Sequence, residues 1–217
     1  MKTILFQGDS ITDSKRDRND NQYPGSGYAT MITGYLGLER PGEYAFLNRG
    51  ISGNRVSDLY ARIKQDFINL EPDYLSILIG VNDVWHEISH QNGLSEQKFE
   101  RIYDLLIGDI LEALPDIRIM ILEPFVLEGS ATEAIDECPD RWEIFRTEVP
   151  LRAAAAKRIA DKYGLVYVPL QECFDSACRT VPAEQLLFDG VHPTPMGHEL
   201  IKREWLRGFE KLNAISD

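Results

Sequence analysis

The residue types needed for nucleophilic chemistry occur in this chain at widely separated places. Ser10 lies in the run Phe6-Gln7-Gly8-Asp9-Ser10-Ile11, and two partners lie in Asp189-Gly190-Val191-His192-Pro193. A serine hydroxyl becomes a nucleophile only when an adjacent base takes its proton. Histidine is the side chain whose ordinary pKa suits that task near neutrality. An aspartate three residues before it can reach the imidazole Nδ1–H and fix the tautomer. Two further segments can supply donors to an oxyanion. Gly53, in Arg49-Gly50-Ile51-Ser52-Gly53-Asn54, offers a backbone N–H with no Cβ in the way of a substrate. Asn82, in Gly80-Val81-Asn82-Asp83, offers a side-chain N–H. Each such donor is worth about 3 kcal/mol of barrier in acyl transfer. Taken singly, each segment has a plainer use. Ser10 or Asn82-Asp83 can cap a helix, Gly50 and Gly53 can serve backbone geometry, and Asp-Gly and His-Pro favour turns. Together, at one edge of a sheet, they form a complete acyl-transfer set.

The elements that must position them are legible in the hydrophobic pattern. Strand-type apolar runs occur at 3–6, 44–47, 74–79, 117–122 and 165–168. Helical patterns cover 28–38, 56–70, 95–114 and 141–163, and a last helix follows Pro195. Strands alternating with helices imply right-handed crossovers and a parallel sheet covered on both faces. The expected fold is therefore α/β: a three-layer α/β/α sandwich with a flavodoxin-like five-stranded sheet, in one domain over 1–217. Three of the four segments follow strands, at the carboxyl edge where open α/β sheets bind ligands. The fourth joins them on the return of the chain after strand five. The longest irregular stretch, 123–140, is either a plain surface loop or a wall narrowing an acyl pocket from above.

Composition bounds the partners. The 217 residues are 43% hydrophobic and 27% charged, with a net charge of −12. Such a surface repels nucleic acid and anionic membranes, whereas a neutral small-molecule ester meets no barrier. No run of about 18 apolar residues exists, and the start of the chain does not read as a signal peptide. Cys138, Cys173 and Cys178 are odd in number and contain no Cys-x-x-Cys. They read as free thiols, so a cytoplasmic location is expected.

The four segments Gly8-Asp9-Ser10-Ile11, Gly50 to Gly53, Gly80-Val81-Asn82-Asp83 and Asp189-Gly190-Val191-His192 resemble the four blocks of the SGNH, or GDSL, hydrolase superfamily. They span nearly the whole chain, with Ile11 where leucine is usual. The resemblance implies the SGNH hydrolase fold and no cofactor. It also implies a Ser10–His192–Asp189 triad and an oxyanion hole from the Ser10 N–H, the Gly53 N–H and the Asn82 side chain. Three longer stretches are similar to those of intracellular bacterial acetylxylan esterases of that superfamily: 48–54, 79–85 and 124–129. Those enzymes deacetylate xylo-oligosaccharides and can form homo-oligomers. The same triad would also serve a lysophospholipase or an acyl-thioesterase. A catalytically dead binding protein would be expected to lack a triad residue, and here none is missing.

Other residues carry open readings. His86-Glu87-Ile88-Ser89-His90 matches the zinc-protease pattern His-Glu-x-x-His. However, it ends at the turn signal Gln91-Asn92-Gly93, which leaves under three helical turns, so no metal is expected. Trp85 either lines the pocket or packs in the interior. Arg55 either touches substrate or starts the following helix. Asp9 is expected to organise the turn, His198 to face solvent or cap within the last helix, and residues 13–20 to form a solvated loop.

Overall fold

In a computed structural model, which describes residues 1–214, five parallel strands form one sheet in the order β2-β1-β3-β4-β5. They are β1 (Lys2–Gly8), β2 (Tyr44–Asn48), β3 (Tyr74–Leu78), β4 (Arg118–Leu122) and β5 (Val166–Val168). Along the chain, α1 (Ser10–Asp13) and α2 (Tyr28–Glu39) separate β1 from β2, and α3 (Val56–Ala61) and α4 (Ile63–Asp66) follow β2. After β3 come α5 (Val81–His90) and α6 (Glu96–Ala113), and after β4 comes α7 (Arg141–Tyr163). The chain ends in α8 (Gln171–Ala177), α9 (Ala183–Leu186) and α10 (Pro195–Ala214). This is the expected flavodoxin-like order, whose ligand crevice lies where the strand order reverses, between β1 and β3.

The two-residue period of the strands divides the core. Ile4 and Phe6 of β1 pack into one layer with Tyr28, Ile32, Trp205 and Phe209 of α2 and α10. Leu5 between them packs into the other layer with Val56, Leu59, Phe99 and Ile107 of α3 and α6. Trp205 is fully buried and stacks on Phe209 with ring centroids 4.9 Å apart. Strands apolar on both faces are what a sheet covered by helices requires.

One expectation needs correction. The pattern over 56–70 is not one helix but α3, α4 and a short 3-10 turn at Ile68–Leu70. The backbone leaves helical geometry at Arg62 (φ −112°, ψ 17°) and again at Phe67 (φ −130°, ψ −72°). The bend lets Phe67 enter the core completely. The short helices α8 and α9 have too few residues for a periodic signal. Among the described residues, no helix is long and apolar enough to cross a membrane.

The junction between β1 and α1 depends on Gly8, at φ +156°. A Cβ there would run into the Leu78 carbonyl oxygen of β3 and the Thr12 hydroxyl. Gly8→Ala is expected to cost about 2–4 kcal/mol, read as a lower urea midpoint with an unchanged denaturant slope.

Candidate active site

Ser10 is the first residue of α1, and Asp9 is its N-cap: the Asp9 Oδ1 accepts the Ile11 N–H at 3.0 Å. Asp9 thus organises the turn, as expected. Its buried carboxyl is pushed up to about 7 by loss of solvent. Ser10 is thereby held at the carboxyl end of β1, facing the segment before α10.

That segment brings a histidine and an aspartate to it. The Ser10 Oγ lies 2.9 Å from His192 Nε2, and His192 Nδ1 lies 2.7 Å from Asp189 Oδ2. An ionised carboxylate only accepts, so Nδ1–H donates to it and Nε2 is left to accept the serine proton. The other Asp189 oxygen accepts the backbone N–H groups of Val191 at 3.0 Å and His192 at 2.8 Å. Burial pushes the Asp189 carboxyl up, but these hydrogen bonds outweigh it and hold the group at about 2. The hydrogen bond that its ring N–H donates to Asp189 raises His192 above the ordinary histidine value, against an opposing effect of burial.

The donors converge from two other loops. Gly53 sits at φ +82°, a left-handed conformation natural to glycine. A Cβ there would meet only His86 Nε2, at 3.9 Å, so the space a side chain would fill stands open beside the cleft. Asn82 is in the first turn of α5, and one of its two amide hydrogens goes to the Asn54 carbonyl at 3.1 Å. The second hydrogen remains for an oxyanion.

Sequence reasoning missed the residues that lock these loops together. Asn48, at the end of β2, donates to the Thr12 and Pro24 carbonyls at 2.6 and 2.7 Å and accepts the Gly50 N–H at 2.9 Å. Asp13 accepts the Ser52 N–H at 3.1 Å and an Arg18 N–H at 3.3 Å. It is buried, so the solvated-loop reading of 13–20 fails at its first residue. Asp83 is fully buried and takes the Val56 N–H at 3.3 Å, tying α5 to the start of α3; burial raises its carboxyl well above the ordinary range. Only a polar side chain closing an apolar strand, as at Asn48, was visible as a signal.

His198 also departs from expectation. It is 6% exposed, and its Nδ1 accepts the Tyr28 N–H at 3.1 Å, so it caps α2 rather than its own helix. Burial pushes it down to about 4, leaving it neutral. Arg55 caps α3: its Nε and N–H both reach Asp58 Oδ2, at 2.9 and 2.8 Å, and it lines neither cleft beside Ser10. Trp85 does both things proposed for it, lining a cleft with Ser10 while packing on Phe145. Segment 123–140 does not overhang Ser10. It braces the triad segment from behind, through the Leu127 N–H on the Gly190 carbonyl and the Ala131 N–H on the Asp189 carbonyl, both at 2.9 Å.

His86 and His90 face each other on α5, with ring centroids 5.8 Å apart, but Glu87 turns away to accept the Gly93 N–H. Among the described residues no third histidine, cysteine or acid completes a metal set with them.

Two clefts open at Ser10. A larger one of about 690 Å³ runs past His192, Phe188, Pro195 and His198. A smaller one of about 180 Å³ is lined by Gly53, Asn82, Trp85, His86 and His90. Ser10, Ser52 and His192 belong to both. Such an arrangement can activate a hydroxyl, hold a tetrahedral oxyanion and accommodate an ester on either side of the nucleophile.

Comparison with known proteins shows the family. The GDSL-like Lipase/Acylhydrolase family matches residues 6–200. An acetylxylan esterase of Geobacillus stearothermophilus is 32% identical over 216 residues, covering 95% of this chain and 94% of its own. The crystal structure of Axe2, an acetylxylan esterase from the same organism, superposes with a TM-score of 0.83 at 30% identity, over 95% of this chain and 93% of that one. A protein of Parabacteroides merdae assigned as a GDSL-like lipase gives 0.86 at 36% identity, over 95% and 94%. The chain is a member of the GDSL-like lipase/acylhydrolase family, and with it of the carboxylic ester hydrolases.

Proposed function

We propose that this chain is a serine esterase that releases acetate from acetylated xylo-oligosaccharides. The observation that carries the chemistry is the continuous hydrogen-bonded line from Ser10 Oγ through His192 to Asp189, at 2.9 and 2.7 Å. The sugar ester is supported by the likeness to the acetylxylan esterases, which extends over almost the whole of both chains.

In this reading His192 Nε2 takes the Ser10 proton as Oγ bonds to the ester carbonyl carbon. The carbonyl π pair moves to oxygen, and the oxyanion rests on the N–H groups of Ser10 and Gly53 and on the free hydrogen of Asn82. The intermediate collapses, the carbon–alkoxy bond breaks, and His192 returns its proton to the departing alcohol. Water then attacks the acetyl-serine with His192 again as base, and acetate and free Ser10 result. No cofactor takes part. The three free thiols suit a reducing compartment, so the reading carries a cytoplasmic location with it.

Ser10→Ala is expected to lower 4-nitrophenyl acetate hydrolysis by at least about 10,000-fold, while the wild-type rate survives excess EDTA. Retained turnover in the variant, or loss in chelator, overturns the serine mechanism. Against acetylated xylobiose, a lysophospholipid and an acyl thioester, the acetylated sugar is expected to give the highest kcat/KM. Because Asp189 raises the pKa of His192, kcat/KM should fall with acidity, with a midpoint above the ordinary histidine value of about 6.5. Asp189→Asn should lower kcat by about 10,000-fold, as measured in the same pH series. Asn82→Ala should lower kcat by roughly 100- to 1,000-fold with little change in KM, a split that steady-state kinetics resolves.

A further inference from the structure

Resting on the esterase reading above, we infer that the ester lies across Ser10 with its acyl group in the smaller cleft and its alcohol in the larger, and that Trp85 sets the limit on acyl length. The donors decide the direction. Gly53 and Asn82 line only the smaller cleft, so the carbonyl oxygen turns to that side of Ser10. The departing oxygen must instead meet the proton on His192 Nε2. The residues next to His192, namely Phe188, Pro193 and Pro195, line only the larger cleft.

The sizes agree with that direction. The larger cleft, about 690 Å³, falls within the range of roughly 300–1,000 Å³ that holds ligands of several rings. The smaller, about 180 Å³, falls below that range and suits a group of a few atoms.

Trp85 is a fixed wall of the smaller cleft. Its ring stands edge-to-face against fully buried Phe145, with centroids 5.9 Å apart. The Arg141 guanidinium lies 6.0 Å from its centre, and the His192 ring is 5.9 Å away. Swinging the indole aside would break all three contacts at once. His86 and His90 form another side of the same cleft, so a long chain leaving the indole would run onto polar imidazoles. An acetyl methyl fits against the indole, and a longer chain collides with it.

The test compares acetyl, butyryl and octanoyl esters of 4-nitrophenol in Trp85→Ala and Trp85→Leu, with circular dichroism as the check on folding. The octanoyl-to-acetyl ratio of kcat/KM should rise at least about tenfold in Trp85→Ala and less in Trp85→Leu. A folded, acetate-active variant with an unchanged ratio overturns the inference. Ser26→Trp, which narrows the larger cleft, should depress acetylated xylobiose relative to methyl acetate and leave the acyl profile as it was. A shift in acyl profile from Ser26→Trp, with none from Trp85, reverses the assignment of the clefts. A wild-type protein that cleaves none of these esters, or a Ser10→Ala variant as fast as wild type, overturns the esterase reading itself.

Discussion

The site rests on how the two oxygens of Asp189 are shared. One oxygen takes the His192 ring N–H, and the other takes the backbone N–H groups of Val191 and His192. The backbone pair fixes the path of the chain into His192, and the ring bond fixes the orientation of the imidazole. With both set, Nε2 has one direction left, and Ser10 lies along it. A carboxylate satisfied three times stays ionised well into acid, so its hold on the histidine does not lapse over the range in which an esterase works.

The oxyanion side is built differently, by tying neighbouring loops to each other. Asn54, directly after Gly53, accepts a hydrogen bond from Asn82, and Val56, two residues further on, donates to Asp83. Two adjacent residues of α5 therefore hold the glycine loop from both sides of one bend. Asn48 and Asp13 do the same between that loop and the turn after Ser10. Each of these side chains is buried and bonds to backbone, which gives the loops fixed positions without secondary structure of their own.

Much of this was legible in the sequence, for identifiable reasons. The five strands read clearly because each is a predominantly apolar run, and α7 could be bounded at residues 141–163 because Gly164 terminates it in the left-handed conformation. The meeting of Ser10, His192 and Asp189 was legible because a serine, a histidine and an acid are the residue types that acyl transfer pairs. The helix expected over 56–70 failed because local pattern alone cannot show the bend that buries Phe67. His198 was misread because its partner, Tyr28, is 170 residues away in the chain. The place of 123–140 stayed open between a surface loop and a pocket wall for a similar reason: its partners are distant in the chain, and backbone bonds dock it on Asp189 and Gly190.

The hydrogen bond between Ser10 and His192 joins residues 182 positions apart. During synthesis the serine leaves the ribosome early, and its base follows only when most of the chain has been made. Until the sheet closes, Ser10 is an ordinary alcohol with no base to take its proton. On the proposed reading, hydrolytic power in this chain is consequently a property of the finished tertiary structure: a nascent, truncated or partly unfolded copy would carry Ser10 without its partner.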